Sequence, residues 1–179
     1  KSPLATSSSA SLESSTATGP VDEVARWWAA VISLGAYWLT GDDEAANRLY
    51  PTVDALPKQL YNSDEPLARS VYLAYKARKT FVNGGTATCP RHMSCIRQCD
   101  RSGELLRESL SLDSKAVLVN STQHSLQKGV QLLVCDWLLS TRTAIWQEEQ
   151  ATESEENTEP HTASPPELQA FQQDLARLR

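Results

Sequence analysis

The sequence predicts an all-α protein with two unfolded segments, and three features lead to this prediction. From Pro20 onward, apolar residues recur every three or four positions, a spacing that places them on one face of a helix. No alternating run of β-branched and aromatic residues exceeds about five positions, so strands have no competing signal. Two stretches contain too few apolar side chains to fold. We therefore expect an irregular antiparallel array of about six helices, with a disordered N-terminal tail and an acidic linker.

The first two predicted segments are the tail and a long helix. Residues 1–18 contain seven serines and three threonines, and their few apolar side chains cannot offset the entropy of ordering the backbone. Pro20 suits a first helical turn, and Gly41 offers the left-handed residue that ends a helix. The helix is predicted over Pro20–Leu39. Apolar residues lie on more than one side of it, so we expect it to have several neighbours.

Prolines divide the helices that follow. Asp42 or Asp43 caps a second helix, which Pro51 is expected to kink or end because proline lacks the backbone N–H. A short helix with Val53, Leu56 and Leu60 is then interrupted by Pro57. A start signal at residues 63–66 opens another helix, predicted to stop near residues 83–85. The apolar face of that helix comprises Leu67, Val71, Ala74, Tyr75, Ala77 and Phe81.

The second half of the chain is predicted to contain the longest helix. A loop over residues 84–103 holds three of the four cysteines, and a helix of about three turns follows it from Leu105 to Leu112. The longest helix is expected from about Thr122 to Trp146, where Gly129 would mark close packing by a neighbour. After an acidic stretch, Leu168 and Phe171 open a helix that is still running at Arg179.

One helical domain accounts for these elements. Short connections favour antiparallel neighbours, as in tetratricopeptide-like arrays, although no strict repeat of about 34 residues is present. The predicted division is a tail at 1–18, a helical core at 19–147, an acidic linker at 148–166 and the start of a further helix of the same domain at 167–179. Because the chain begins with Lys1 rather than Met, we expect it to be an excised fragment.

The charge pattern argues against nucleic acid as a partner. The chain carries 17 basic and 22 acidic residues, and residues 19–142 are close to neutral with 14 basic and 13 acidic side chains. Such a balance offers no electrostatic surface for a polyphosphate. The most apolar segment, Val130–Leu139, is about half as long as a membrane span and contains Asp136, so no membrane insertion is expected. Four cysteines are too few for a disulfide scaffold and favour a reducing compartment.

Enzymatic chemistry is not expected. The chain has no G-x-S-x-G elbow and no phosphate-binding glycine loop, so neither hydrolase activity nor nucleotide binding is predicted. Cys89, His92, Cys95 and Cys99 form a C-x2-H-x2-C-x3-C pattern whose side chains could ligate zinc. The spacing is compressed relative to a zinc finger. A loop with free thiols is therefore preferred to a metal site, and no cofactor is predicted.

Asp136 and the tryptophans are the residues that a partner protein could use. Asp136 interrupts an apolar run, and we expect it to be buried in an ion pair with a residue such as Arg142. The alternative is that Asp136 contacts a partner protein. Three tryptophans, Trp28, Trp38 and Trp137, follow the helical spacing and are expected in the core. Two others lie off the main stripes and are expected to be partly exposed. The candidate partner-binding residues are Trp27, Arg142 and Trp146.

Several sequence blocks give the chain a resemblance to a known family. These are Arg26-Trp27-Trp28-Ala29, Trp38-Leu39 with Gly41-Asp42-Asp43-Glu44-Ala45-Ala46, Val130-Gln131-Leu132-Leu133-Val134-Cys135-Asp136 with Arg142-Thr143-Ala144-Ile145-Trp146, and Glu167-Leu168 with Phe171-Gln172 and Asp174-Leu175. On these blocks, residues 19–179 resemble the C-terminal regulatory region of the sterol regulatory element-binding proteins.

The resemblance implies a regulatory role in lipid synthesis. It implies a transcription factor precursor held in the endoplasmic reticulum, with this region on the cytosolic face of that membrane and of the Golgi. There the region would bind the WD40 domain of the escort protein Scap. Two alternatives stay open: a helical module that supports folding or self-association while other segments contact the partner, and a small zinc module centred on Cys89–Cys99.

Overall fold

A computed structural model describes residues 20–61, 65–84, 89–113, 121–155 and 165–179. These residues are almost entirely helical and contain no strand, which confirms the all-α class. The predicted tail lies outside the described residues. Seven helices occur in the order α1 (Pro20–Thr40), α2 (Asp43–Asp54), α3 (Lys58–Tyr61), α4 (Pro66–Asn83), α5 (Cys89–Asp113), α6 (Ser121–Glu155) and α7 (Pro166–Leu178).

Pairs of contacts along neighbouring helices give the directions of α4, α5 and α6. The Ser70 and Ser102 hydroxyls each donate to the other residue's carbonyl, at 2.8 and 2.7 Å, near the start of α4 and the middle of α5. Phe81, near the end of α4, packs on the ring of His92 near the start of α5. His92 in turn bonds to Glu148 near the end of α6. Successive helices therefore run antiparallel, as the short connections predict.

Aromatic side chains hold α1 against three other helices. The Trp38 ring lies 6.2 Å from Tyr75 of α4 and 4.9 Å from Trp137 of α6, the second in an edge-to-face arrangement. The indole N–H of Trp27 donates to the carbonyl oxygen of Val53 in α2 at 3.0 Å. Each buried indole or phenol brings a large apolar area into the core. The expectation that α1 has several neighbours is confirmed.

The turn between α1 and α2 follows the predicted chemistry. Gly41 has a φ of 73°, a conformation that glycine adopts without the steric cost of a Cβ, and it ends α1. The Asp42 carboxylate accepts a hydrogen bond from the backbone N–H of Ala45 at 3.0 Å and caps α2. Pro51 was expected to kink or end this helix; it does not end it, because α2 continues to Asp54. Pro51 and Asn47, four residues earlier, are both exposed, so the carbonyl left without its helical partner can bind water.

The predicted loop over residues 84–103 is wrong from Cys89 onward, because α5 begins there and continues for 25 residues. Up to Ser102 its buried face is made by small and polar side chains that the hydrophobic pattern did not reveal, whereas the buried Leu105 and Leu106 lie in the part that was predicted to be helical. Cys95 and Cys99 are fully buried and act as small apolar residues. Ser102 is buried as well, with its hydroxyl satisfied by α4.

The longest helix also extends further than the sequence predicts. α6 continues to Glu155, so the first part of the predicted acidic linker is helical, while residues 156–164 lie outside the described residues. Glu148 lies within this extension and accepts a hydrogen bond from Arg91 of α5 at 3.1 Å, besides its contact with His92. The acidic extension is therefore held by pairing with α5, which a charge count along the chain cannot show.

Helix α7 packs on α5 and α6 as the predicted further helix. Its buried face has the spacing of an amphipathic helix, with Leu168, Phe171, Asp174 and Leu178 buried. Phe171 covers Gly103 of α5 so closely that a Cβ there would lie 2.6 Å from its ring.

Candidate functional site

The structure places the predicted partner-binding residues in three different environments. Trp27 is 1% exposed, so the prediction that it is partly exposed is wrong; it belongs to the α1–α2 contact. Trp146 is half-buried, in agreement with its predicted partial exposure. Among the tryptophans expected in the core, Trp137 is buried, while Trp28 and Trp38 are half-buried against the core cluster.

Arg142 lies in the interior of the helical array. Its side chain is 10% exposed, and its guanidinium lies 3.6 Å from the Glu167 carboxylate at the start of α7. Its positive charge also reaches the Asp100 carboxyl and the Cys99 thiol on α5. These contacts join α5, α6 and α7. Arg142 therefore connects helices rather than presenting a surface to a partner.

Asp136 is exposed, so the predicted burial and the predicted pair with Arg142 are both wrong. Its apolar neighbours Val134, Trp137 and Leu138 are buried and define the inner face of α6. The helical register therefore leaves Asp136 on the outer face. A charged residue on the outer face incurs no desolvation cost.

Asp136 and Asp43, the first residue of α2, are both exposed and lie within electrostatic reach of one arginine. Asp43 and Asp136 both act electrostatically on the guanidinium of Arg78, which lies on the face of the Trp38 ring at 4.7 Å. Burial lowers the pKa of Arg78, and the two carboxylates oppose that shift. We call these two exposed acids, Asp43 and Asp136, the acidic corner. They belong to separate blocks of the sequence resemblance.

The residues considered for zinc are arranged as a helix–helix contact. Nε2 of His92 lies 2.8 Å from the Glu148 carboxylate, and Nδ1 lies 3.8 Å from that of Glu149. Within the described residues, no group of three or more His, Cys, Asp or Glu side chains is placed to hold a metal ion. The Cys89 side chain lies outside that description.

The buried thiols have the chemistry of packing residues. Burial raises the pKa of Cys99 to about 12 and that of Cys135 to about 12, and it raises the pKa of Cys95 as well. A thiolate is the form that attacks electrophiles and ligates metals, so at neutral pH these three side chains hold their protons.

An open apolar groove lies along α1, between that helix and the first half of α6. It consists of two cavities of about 640 and 360 Å³ that share Ile32, Leu126 and Val130. The first cavity is also bounded by the start of α4 and the end of α5, and the second continues toward the end of α1. We call the two together the apolar groove; its main apolar residues are Trp28, Ile32, Leu39, Leu112, Leu126, Val130 and Leu133.

Large side chains are exposed at this groove. Leu39 is 73% exposed and Leu126 is 58% exposed, and Ile32 and Leu112 are also exposed. Exposed apolar side chains that occur singly are ordinary, whereas a continuous set marks an interaction surface or a binding groove. Leu126 could not be recognised as a surface residue from the sequence, because its helical spacing places it in line with the core positions of α6.

Gly129 is the other residue of the groove that was misinterpreted. Among the described residues the predicted close packing at Gly129 is not found, because none of them from outside its own helical turn has an atom within 4 Å of where its Cβ would be. Gly35, in contrast, is packed so closely that a Cβ would lie 2.6 Å from Leu133. A signal for the groove was present in the sequence: residues 27–41 contain no charged side chain, although one face of the helix they form is exposed.

No family model matches the chain, and no solved structure matches it. None of the described helices is both long and apolar enough to cross a membrane.

Proposed function

We propose that the chain is a regulatory protein–protein interaction domain whose partner is the WD40 domain of the escort protein Scap. The observation that carries the proposal is the exposure of Asp136 beside Asp43 at the acidic corner. Asp136 ends one of the sequence blocks on which the resemblance to the sterol regulatory element-binding proteins rests, and Asp43 lies in another. Two blocks far apart in sequence thus contribute exposed acids within electrostatic reach of the same arginine, Arg78.

The chemistry of the acidic corner suits a basic protein surface. Complementary charges at the edge of an interface steer association and fix its orientation. Arg78, which lies within electrostatic reach of both acids, stacks on the half-buried Trp38 ring and donates a hydrogen bond to the Ser140 hydroxyl of α6. The acids are therefore presented by a packed part of the array, which limits the entropy lost on binding. By the same resemblance, the domain would act on the cytosolic side of endoplasmic reticulum and Golgi membranes as part of a precursor.

Neutralising the corner tests the proposal. The binding partner is the purified WD40 domain of Scap, and the full chain is compared with the double variant Asp43→Asn/Asp136→Asn. We expect the dissociation constant to rise about tenfold, because two attractive charge contacts are lost. Added salt should weaken binding of the unaltered chain more than binding of the variant.

The matched control is Glu104→Gln, another acid-to-amide change at an exposed site. Glu104 pairs with Arg101 on the surface of α5, within one helix. It should bind the WD40 domain as the unaltered chain does. If the unaltered chain shows no binding and a C-terminal extension restores it, the partner contacts lie elsewhere and this proposal fails.

A second candidate function is self-association or support of a larger domain. The open apolar groove favours it, because exposed apolar surface of this kind is often covered in an assembly. Light scattering on the eluting chain distinguishes the two, since a dimer dissolved by Leu126→Glu would support this second candidate.

A further inference from the structure

The turn between α1 and α2 presents a hydroxyl followed by a run of acids. Its five residues, Thr40-Gly41-Asp42-Asp43-Glu44, are all exposed. We propose that Thr40 is phosphorylated by a protein kinase that selects acids after the modified residue, and that the phosphate raises the affinity of the acidic corner for its partner. The site stands on the turn alone, whereas the effect on affinity rests on the proposed function.

The order of the residues suits a kinase of this kind. Acids occupy the second, third and fourth positions after Thr40. Kinases select substrates by their charge pattern, and basic side chains in the substrate cleft complement such a run. Transfer forms a bond between Oγ1 of Thr40 and the γ-phosphorus of ATP and breaks the bond from that phosphorus to the β-phosphate oxygen. The hydroxyl proton passes to a carboxylate of the kinase, and ADP leaves.

The geometry of the turn makes Thr40 accessible. α1 ends at Thr40, and Gly41, with a φ of 73°, turns the chain away from the helix axis. The Thr40 hydroxyl donates to the carbonyl oxygens of Ala36 and Tyr37, at 3.1 Å each. The Tyr37 carbonyl also accepts the backbone N–H of Asp42 at 3.0 Å. The turn therefore keeps a backbone hydrogen bond when the hydroxyl is modified.

A second hydroxyl provides a comparison within the chain. Among the described residues, Thr152 is the one other exposed hydroxyl residue with an acid three positions later. It lies inside α6, and its hydroxyl donates to the Glu148 carbonyl oxygen at 2.7 Å. A kinase would have to unwind part of that helix to reach it, whereas the turn at Thr40 opens fewer hydrogen bonds. The structure therefore favours Thr40.

The phosphate would lie close to both acids of the corner. Thr40 and Asp43 are three residues apart, so their Cα atoms lie within about 11 Å of each other. Trp38, just before Thr40, packs with its ring centroid 4.9 Å from that of Trp137, the residue that follows Asp136. A phosphate adds a charge of about −1.5 to −2 at neutral pH, roughly as much as the two carboxylates together. Phosphorylation therefore nearly doubles the negative charge of the corner.

The fold should tolerate this charge. A phosphate on Thr40 stands at the end of α1, where the helix dipole disfavours an anion, and just before α2, where the dipole favours one. The two effects oppose each other, and the Asp42 cap of α2 is unchanged. We expect the melting temperature of the phosphorylated chain to stay within about 4 °C of the unmodified value.

Phosphate mapping tests the site without a partner protein. The full chain is incubated with a purified acid-selective protein kinase and magnesium ATP, and its proteolytic peptides are analysed by mass spectrometry. Phosphate should appear on Thr40, and Asp43→Asn should slow its incorporation at least about tenfold, because a charge contact with the kinase is lost.

Two controls accompany the mapping. Glu104→Gln removes an exposed acid elsewhere and should leave the rate at Thr40 unchanged. Thr152→Val should do the same, because it removes the competing hydroxyl. Absence of phosphate from Thr40, its appearance on Thr152 alone, or equal rates in Asp43→Asn and Glu104→Gln would overturn the proposal.

Binding measurements test the effect of the phosphate on the corner. The phosphorylated chain should bind the WD40 domain about tenfold more tightly than the unmodified chain, and added salt should reduce this gain. Thr40→Glu and Thr40→Gln form a matched pair that differs in charge, and the glutamate variant should bind more tightly. Equal affinities within both pairs would overturn the inference and leave the proposed function standing. If neither form of the chain binds, the proposed function fails, and the phosphate map still decides whether Thr40 is a site.

Discussion

Two surfaces lined by helices differ in whether another helix covers them. They are the α5–α7 seam, where Phe171 of α7 covers Gly103 of α5, and the apolar groove. The seam contains Gly103, and α7 lies over it with Phe171 buried and Asp174 paired to Arg107. The groove contains Gly129, and no described residue occupies the space beside it. The comparison teaches that a glycine on a helix face leaves room for a neighbour but does not by itself show that one is present.

Phe171→Ala should have the largest effect on stability, since it empties the seam. A buried phenylalanine truncated to alanine typically costs about 3–5 kcal/mol, because transfer energy is lost and a cavity remains. The measurement is chemical denaturation of the full chain. Leu126→Ala makes the equivalent change in the groove, where the side chain is already exposed, and should stay within about 0.5 kcal/mol. Equal losses at the two sites would remove the distinction between filled and open surfaces.

Alkaline pH should destabilise the chain through thiols near the seam. The Cys135 thiol lies within electrostatic reach of Asp174 and Arg107, and the Cys99 thiol within reach of Arg142. Burial raises the pKa of each to about 12, so above pH 9 the unfolded chain loses protons that the native chain keeps. Stability therefore falls as pH rises, by about 2–3 kcal/mol for the pair from pH 9 to 10.

Urea denaturation at pH 8, 9 and 10 measures this loss. Replacing both thiols, as in Cys99→Ala/Cys135→Ala, should flatten the pH dependence. If the free energy of unfolding of the double variant still falls with pH as in the unaltered chain, groups other than these two thiols cause the pH dependence. The same comparison predicts that Phe171→Ala accelerates alkylation of the two thiols, whereas Leu126→Ala does not.

Asp174→Asn should cost about 2 kcal/mol, because a buried carboxylate loses its charge-assisted bonds. Nε and Nη2 of Arg107 each lie 2.9 Å from the same carboxylate oxygen, and Asp174 is 4% exposed. The surface pair of Arg101 and Glu104 provides the contrast, and Glu104→Gln should change stability by less than about 0.5 kcal/mol. Thermal unfolding of the two variants checks the difference.

Alanine at the two glycines should act in opposite directions. Gly129→Ala should stabilise the free chain by up to about 1 kcal/mol, since alanine favours the helix and no residue in the described ranges obstructs its Cβ. Gly103→Ala should destabilise it by about 1 kcal/mol, because the added methyl displaces the Phe171 ring. Denaturation midpoints would show the two signs. Stabilisation by Gly103→Ala would mean that α7 lies loosely in the seam.

Asp136→Ala should have the smallest effect on stability, within about 0.5 kcal/mol. Burial, as expected from the sequence, would instead have made the loss several kcal/mol. The residue is exposed, and the expected effect is on binding to the WD40 domain. A large loss of stability would show that its charge is needed to balance Arg78.

Some elements could be predicted because their signals are local. The Pro20 start, the Gly41 end and the Asp42 cap depend on residues within one or two turns, and the structure agrees with each. The first half of α5 could not be predicted in this way. Its buried positions up to Ser102 are cysteine, serine and histidine, whose burial depends on partners in α4 and α6 that lie far away in sequence.

The candidate sites show the same division. The unusual residues were recognisable in sequence, since Asp136 interrupts an apolar run and Gly129 interrupts a helix. Their exposure to solvent could not be recognised, because helical periodicity shows only which side of its own helix a residue lies on. Whether that face meets a neighbour depends on how the helices pack. The prediction for Trp27 was wrong for this reason, as its indole bonds to a carbonyl 26 residues away.

The amino-acid sequence by itself determined that this chain is helical and where its first helix begins and ends. It also determined which residues are unusual for their position, such as an acid in an apolar run or a glycine inside a helix. The tertiary structure alone decided which of those side chains face water. Helix formation depends on propensities and spacing within a few residues, whereas burial depends on contacts between segments distant in sequence. The acidic corner and the apolar groove belong to the second kind, and both appear only when the helices are assembled.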